Sequence, residues 1–318
     1  MTLQQLKILL TVARHASFTR ASQELHVSQP ALSLHVRQLE EEVGQPLFDR
    51  TGKGVKLTEA GRLAEQYALR IFAQLRELDE GLEELRGVER GELVICASTT
   101  PGNYLLPKII GHFRRRYPKI AVRLDVANSR EMVLRILRNE IDLALVGGRL
   151  VQDERLVVEP YVVDELVLVV APTHPWARRR HISPNDLYQE PLILRESGSA
   201  TRWVMEEAFR ARGIQYQVGM ELGQAEAIKG AVAAGIGVAI LSRFAVAHEV
   251  ACGMLAAVRL EGLALTRDFV LVRLREKRQS AAALAFREIL EDERATIAER
   301  PYPGKKRRPP SPAGPERP

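Results

Sequence analysis

The stretch from Ser17 to Arg50 constrains the fold more than any other part of the chain. It holds two short segments with helical spacing of apolar residues, joined by a turn at His26 and followed by a basic loop. Ser17 and Ser28 are N-cap signals, and Pro30 fits the first turn of the second segment. Histidine tolerates left-handed backbone better than most residues, which suits the turn. With an amphipathic helix before it, the stretch predicts a helix-turn-helix.

The second helix of this motif has two different faces. Its apolar face would pack against the preceding helices, and it consists of Leu32, Val36 and Leu39. Its opposite face carries polar residues that can bond to bases, since Gln suits adenine and Arg suits guanine. The first residues of such a helix meet base edges in the major groove. We therefore predict DNA contacts from Ser28, Gln29, Pro30, Ser33 and Arg37.

A glycine-bearing basic loop follows at 50–56 and predicts the wing of a winged helix-turn-helix. Arg50, Lys53 and Lys56 would contact backbone phosphates from this wing. The alternative is an ordinary three-helix bundle with a solvated loop, because caps and amphipathic helices occur in any small helical domain. Spacing alone leaves both interpretations open.

The N-terminal region resembles the signature of LysR-type transcriptional regulators, in VSQPALSLHVRQLEEEVGQPLFDR at 27–50 and LTEAG at 57–61. The similarity continues without a gap from the first residues to Gly61. It implies an all-α winged helix-turn-helix domain that binds double-stranded DNA at a promoter. The wing departs from the family pattern, because Lys53-Gly54 stands where Arg is frequent. Lysine keeps the phosphate contact but loses bidentate geometry.

A long linker helix is predicted from its N-cap, Thr58, to about Leu85. Apolar residues recur along it with a mean step of about 3.5 residues, the coiled-coil period. This favours a dimerisation helix in a dimer or tetramer, and a single helix packed on its own domain is the alternative. Gly87 and Gly91 would bracket a joint to the rest of the chain.

From Gly91 onward, short apolar strands alternate with amphipathic helices, which predicts parallel α/β units. About 205 residues exceed what one small sheet needs, so two lobes are expected. The arrangement resembles the two-lobed effector domain of LysR-type regulators, itself similar to periplasmic solute-binding proteins. Predicted strands are 93–98, 120–127, 142–148, 165–172, 191–196, 237–242 and 267–274, and predicted helices are 104–118, 129–140, 199–213 and 224–235.

The predicted domain plan has four parts. They are a winged helix-turn-helix domain at 1–58, a linker helix and hinge at 59–90, an effector-binding domain at 91–300 and a disordered, basic, proline-rich tail at 301–318. Lobe I would comprise about 91–162 and 267–300, and lobe II about 163–266. The tail holds five basic residues against one acidic residue, so most of the net charge of +6 lies outside the DNA-binding region.

Ligands of open α/β sheets bind beyond the carboxyl ends of strands, near helix N-termini. Polar segments follow predicted strands at 98–103 and 196–202, and Arg202 is the leading basic residue for an anionic ligand. Ordinary helix caps are the alternative for each Ser, Thr and Asn. In the family the loop after the first strand lines the effector cleft. The predicted effector residues are Ser98, Thr99, Thr100, Asn128, Ser129, Gly198, Ser199, Arg202 and Glu226.

Three further segments, at 98–110, 139–148 and 220–241, resemble the branch that holds CbbR-type carbon-fixation regulators and sulfur or nitrogen assimilation regulators. The resemblance implies a small anionic metabolite as effector. The same segments also serve the fold and do not specify the ligand. No cofactor is expected. Besides DNA and a second copy of the chain, RNA polymerase is a candidate partner.

Two other functions are alternatives to a transcriptional regulator. An α/β enzyme with a DNA anchor would need catalytic motifs, and the sequence has no nucleophile elbow, P-loop, His-Glu-x-x-His or dinucleotide fingerprint. An architectural DNA-binding protein would not respond to metabolites. The two cysteines, Cys96 and Cys252, exclude a disulfide framework, and Cys96 is expected to be buried in a strand. No stretch is long and apolar enough to span a membrane, so a cytoplasmic location is expected.

Overall fold

The computed structural model describes residues 1–51, 54–84, 91–148 and 153–299. The N-terminal part is a winged helix-turn-helix, as predicted. Its elements are α1 (Leu3–His15), α2 (Phe18–Leu25), α3 (Gln29–Val43), β1 (Phe48–Thr51) and β2 (Gly54–Leu57). The two strands pair antiparallel, and Leu9, Ala21, Leu32, Val36 and Leu39 form the buried centre of the three helices.

The helix ends lie where the cap signals place them. Ser17 Oγ accepts the Arg20 N–H, and Ser28 Oγ accepts the Ala31 N–H. His26 adopts a left-handed conformation with φ of +53° between α2 and α3. Local side-chain chemistry therefore sets the turn that orients α3.

The linker helix α4 runs over Glu59–Glu84 and begins at the predicted cap, since Thr58 Oγ1 accepts the Gly61 N–H at 2.9 Å. Gly61 is required there because a Cβ would lie 2.0 Å from the Leu47 carbonyl oxygen. Among the described side chains of α4, four large apolar ones stay about half exposed, at Leu63, Tyr67, Leu78 and Leu82. The predicted helix end at Leu85, the joint at Gly87 and the tail fall outside the described residues.

The remaining elements alternate along the chain. The strands are β3 (Gly91–Ala97), β4 (Ile120–Val126), β5 (Leu143–Gly147), β6 (Leu156–Val170), β7 (His181–Ile182), β8 (Pro191–Arg195), β9 (Gln217–Leu222), β10 (Val238–Ser242), β11 (Ala256–Leu260) and β12 (Leu265–Leu274). The helices are α5 (Thr99–Tyr104), α6 (Leu106–Arg116), α7 (Ser129–Leu137), α8 (Ala200–Arg212), α9 (Ala225–Ala233), α10 (Arg243–Ala251) and α11 (Ala281–Ala298), with two short 3-10 helices at Pro175–Arg178 and Pro184–Gln189.

These strands form a mixed sheet in the order β4-β3-β5-β12-β6-β10-β8-β9, with β11 and β7 branching from β6. The predicted parallel units are present, since β3 pairs parallel with β4 and β5, and β8 pairs parallel with β9 and β10. The predicted parallel units do not extend to the centre of the sheet, which is antiparallel. There β6 and β12 pair antiparallel with each other, over ten residue pairs, and also with β10 and β5.

Two hydrophobic cores lie on either side of this antiparallel centre. The first contains Leu93, Phe113, Phe269 and Phe286, so β12 and α11 complete the lobe that β3 begins. The second contains Leu168, Trp176, Phe209 and Val238. The body is therefore two-lobed, as predicted. The lobe limits at 162/163 and 266/267 stay predictions, because β6 and β12 run through both lobes without a break.

Helix α11 should hold the first lobe together through one buried aromatic. Phe286 is fully buried and meets Phe113 edge to face at 5.4 Å. We expect Phe286→Ala to lower the free energy of unfolding by about 3–5 kcal/mol, measured by urea denaturation. Leu284→Ala on the same helix is the control, since that side chain is 48% exposed. Equal losses in the two variants would contradict this packing.

Candidate functional sites

The exposed face of α3 carries the residues predicted to meet DNA bases. Gln29, Pro30 and Arg37 are exposed, with the Arg37 side chain 78% accessible, and Ser33 is half-buried between them. The Thr19 hydroxyl donates to Gln29 Oε1 at 3.4 Å, which ties α2 to this face. A groove of about 710 Å³ runs from Ser33 and Arg37 toward the first wing strand. The polar residues of α3 are therefore accessible on the surface beside this groove.

The wing lies beside this helix. Lys56 is exposed on β2 and lies opposite Asp49 of β1 in the register of the hairpin. The predicted phosphate contacts at Lys53 and at the Arg50 side chain fall outside the described residues. The described part of the wing thus offers one exposed lysine next to the face of α3.

The second candidate site is a cleft of about 90 Å³ between the two lobes. It gathers most of the predicted effector residues from distant parts of the chain. They are Ser98, Thr99, Thr100 and Asn128 from the first lobe and Gly198 and Ser199 from the second. Ser129 begins α7 next to this group, and its side chain is not described.

Hydroxyl groups and helix starts face each other across the cleft. Ser98 precedes α5 and Ser199 precedes α8, and neither side chain caps its own helix. Instead, Ser98 Oγ accepts the Gly147 N–H at 2.8 Å. Asn128 differs, because its Oδ1 accepts the Glu131 N–H and acts as an ordinary cap. The starts of α5 and α8 therefore lie at the cleft without a side-chain cap from Ser98 or Ser199.

Two arginines at the cleft were missed in the sequence. Arg195 ends β8, is buried, and bonds both Glu196 oxygens at 2.7 and 2.8 Å. Arg267 lies near the start of β12, and its Nη2 donates to Thr100 Oγ1 at 3.0 Å. Both belong to segments that were interpreted only as apolar strands. A single charged residue in such a strand is the signal that could have identified them, because burial of an arginine requires a partner.

Arg202 and Glu226 are not among the residues that line this cleft, so their contact with an effector stays a prediction. Arg202 donates to Glu206 and Glu221, both at 2.7 Å, and to the carbonyl oxygen of Arg195 at 3.1 Å. Glu226 accepts the Tyr104 hydroxyl at 2.8 Å and pairs with Lys229. Local carboxylate and ammonium partners therefore decide the orientation of both side chains.

Glycines at 147 and 148 allow two different close approaches. A Cβ at Gly147 would lie 2.5 Å from the Phe269 ring on the paired strand β12. Gly148 follows β5 with φ of +115°, and a Cβ there would lie 2.5 Å from the Cβ of Ala200 at the start of α8. The close approach of the two lobes at this point is thus possible only without a side chain at Gly148.

Cys96 is fully buried in β3, as predicted, and burial raises the pKa of its thiol to about 11. It therefore stays protonated at neutral pH. The described residues hold no group of three or more His, Cys, Asp or Glu side chains suited to a metal ion. No helix in the described part of the chain is long and apolar enough to cross a membrane.

Comparison with known families assigns both parts of the chain. Residues 3–62 match the bacterial regulatory helix-turn-helix protein, lysR family, and residues 86–295 match the LysR substrate binding domain. The chain belongs to the LysR family of transcriptional regulators. As a LysR-family member it is a DNA-binding regulator with an effector-binding domain, and not an enzyme.

Known relatives of this LysR-family chain extend the comparison. The RuBisCO operon transcriptional regulator of Allochromatium vinosum is 42% identical, over 93% of this chain and 97% of the relative. A full-length OxyR variant from Pseudomonas aeruginosa has a TM-score of 0.69 at 24% identity, covering 97% of this chain and 99% of that chain. The regulatory domain of Synechocystis PCC6803 CcmR, in complex with 2-PG, has a TM-score of 0.59 at 29% identity, covering 66% of this chain and 99% of that domain.

The contact of Gly148 with Ala200 gives a testable expectation. We expect Gly148→Ala to cost about 2–4 kcal/mol of unfolding free energy, because it combines backbone strain with a steric clash. Gly253→Ala is the control, since its φ of +73° is also positive but a Cβ would meet nothing within 4 Å. It should cost about 1 kcal/mol in the same urea titration. A loss no larger at Gly148 would mean that the lobes do not approach there.

Proposed function

We propose that this LysR-family protein controls carbon-fixation genes, RuBisCO genes first, in response to a small anionic metabolite held between its lobes. The observation that carries the proposal is the cleft in which Arg195, Arg267 and two helix starts converge. The name of the Allochromatium vinosum relative supports the target genes. The 2-PG complex of the CcmR regulatory domain supports an anionic effector.

The chemistry of the cleft favours an anion. Guanidinium groups bind carboxylate and phosphate oxygens with two parallel hydrogen bonds, and helix N-termini add backbone donors. We assign effector contacts to the six predicted residues that line the cleft, together with the two arginines. Arg202 and Glu226 do not line the cleft and the Ser129 side chain is not described, so contacts of these three residues with an effector stay predictions. The effector residues proposed are Ser98, Thr99, Thr100, Asn128, Arg195, Gly198, Ser199 and Arg267.

For the DNA-binding half we propose base contacts from α3 and phosphate contacts from the wing. Three of the half-exposed apolar side chains of α4, Tyr67, Leu78 and Leu82, support pairing with a second copy. Such a dimer would read half-sites about 34–36 Å apart, or a multiple of that spacing. RNA polymerase at the promoter and a cytoplasmic location complete the proposal, with the four-part domain plan kept as predicted.

DNA recognition is tested with the double variant Ser33→Ala, Arg37→Ala. We expect at least tenfold weaker binding to the promoter region of the RuBisCO genes, because each lost base contact removes about 1–3 kcal/mol. Fluorescence anisotropy at fixed salt measures the affinity, and sedimentation should show an unchanged oligomer. Arg210→Ala removes an equally exposed arginine from α8 and should bind normally. Normal binding by the double variant would exclude this face of α3.

Effector control is tested with Thr100→Phe, which fills the cleft beside Arg267. We expect DNA binding to persist while the response to the effector disappears. The readout is thermal unfolding against sugar phosphates, phosphoglycolate, nicotinamide nucleotides, sulfite, sulfate and nitrite, since a ligand raises the melting temperature by mass action. Thr266→Phe places the same side chain on an exposed position of β12 and should respond normally. A flat response by the unmodified protein to every anion would instead favour an architectural role.

A further inference from the structure

We infer that Asp164, a buried carboxylate behind the cleft, sets the anion affinity of the site by competing with the bound anion for Arg267. The inference rests on the proposed function, in which an anion binds beside Arg267. Asp164 does not line the cleft, so it would act through the arginine. It is therefore a specificity-determining residue that the effector never touches.

Asp164 is held rigidly at the centre of the sheet. It lies in β6 directly opposite Arg267 of β12 in the antiparallel ladder, and its side chain is fully buried. Asp164 Oδ1 accepts the Ser242 hydroxyl at 2.7 Å, and Oδ2 accepts Arg267 Nε–H at 2.9 Å. Burial raises the pKa of Asp164, and Arg267, the Ser242 hydroxyl and Arg243 oppose that rise by favouring the ionised carboxylate. Both carboxylate oxygens are thus engaged, and the negative charge cannot turn away from Arg267.

Arg267 divides its donors between the carboxylate and the cleft. Its Nε and Nη2 both lie 2.9 Å from Asp164 Oδ2, and Nη2 also donates to Thr100 Oγ1 in the cleft lining at 3.0 Å. Within the described part of the chain, no hydrogen bond is found for its Nη1 group. Arg267 lines the cleft, so an anion bound there would meet its guanidinium group. An anion bound there would share one cation with Asp164.

An anion bound to Arg267 and the carboxylate of Asp164 would repel each other across the guanidinium group. For two unit charges about 6 Å apart near a protein surface, this repulsion weakens the binding of the anion about tenfold or more. The other cleft arginine, Arg195, is neutralised in the same way by Glu196. Both arginines of the cleft therefore already have a carboxylate partner. Asp164 thus lowers the affinity of the site for an anion.

The test is Asp164→Asn, which removes the charge while keeping the shape. The amide oxygen can still accept from Arg267, and the amide nitrogen can donate to Ser242 Oγ. Without anion, the full-length variant should melt at a lower temperature, because Arg267 loses its counter-ion. Titrated with inorganic phosphate or phosphoglycolate, it should bind about tenfold more tightly than the unmodified protein, and its melting temperature should rise further.

Asp142→Asn is the matched control. Asp142 is also buried and pairs with Lys277 at 2.6 Å, but neither residue lines the cleft. This variant should lose stability and keep the unmodified anion affinity. If Asp164→Asn is unfolded in buffer, saturating phosphate should restore its circular dichroism, whereas phosphate should not restore an unfolded Asp142→Asn.

The outcomes separate the two proposals. An anion response in the unmodified protein with unchanged or weaker binding by Asp164→Asn overturns the role of Asp164 and leaves the proposed function standing. Equal gains in Asp164→Asn and Asp142→Asn also overturn it, since general loss of stability would then explain the effect. No anion response in either the unmodified protein or Asp164→Asn, with no refolding by phosphate, overturns both proposals.

Discussion

The antiparallel pairing of β6 with β12 is the constraint on which the rest of the effector domain depends. Ten residue pairs join these strands, and each strand continues from one hydrophobic core into the other. Their pairing brings a buried aspartate and a buried arginine directly opposite each other. Because a buried ion pair tolerates little displacement, the two lobes meet at a defined place. The cleft lies at this place, and Arg267 is part of its lining for that reason.

Function is distributed over two kinds of structure. In the helix-turn-helix, caps and a left-handed turn orient one exposed helix, so recognition depends on residues close together in the chain. In the cleft, the contributing segments are as far apart as Ser98 and Arg267 and meet only through the sheet. The first site lies on the surface, whereas the second is a cleft lined by residues of both lobes.

Much of the fold could be predicted because local chemistry decides it. The caps at Ser17, Ser28 and Thr58 lie at the predicted helix starts, and the period of α4 leaves an apolar stripe exposed. Strand β9 was missed because it is an exposed edge strand without alternating burial. The first half of β6, with β11, α10 and α11, was also not predicted. The antiparallel centre was missed because the apolar pattern of a strand carries no information about its direction.

The sequence by itself determined the family, the winged helix-turn-helix and six of the residues that line the cleft, since these depend on motifs and helix starts. Only the tertiary structure decided which charges reach the cleft. Arg202 has the position expected of an anion ligand, yet it pairs with Glu206 and Glu221 and does not line the cleft. Arg267 lies in an apolar strand, yet its pairing with Asp164 and Thr100 places it at the site. Charged side chains are directed by their nearest partners, and the partners of Arg267 come from segments that lie far apart in the sequence.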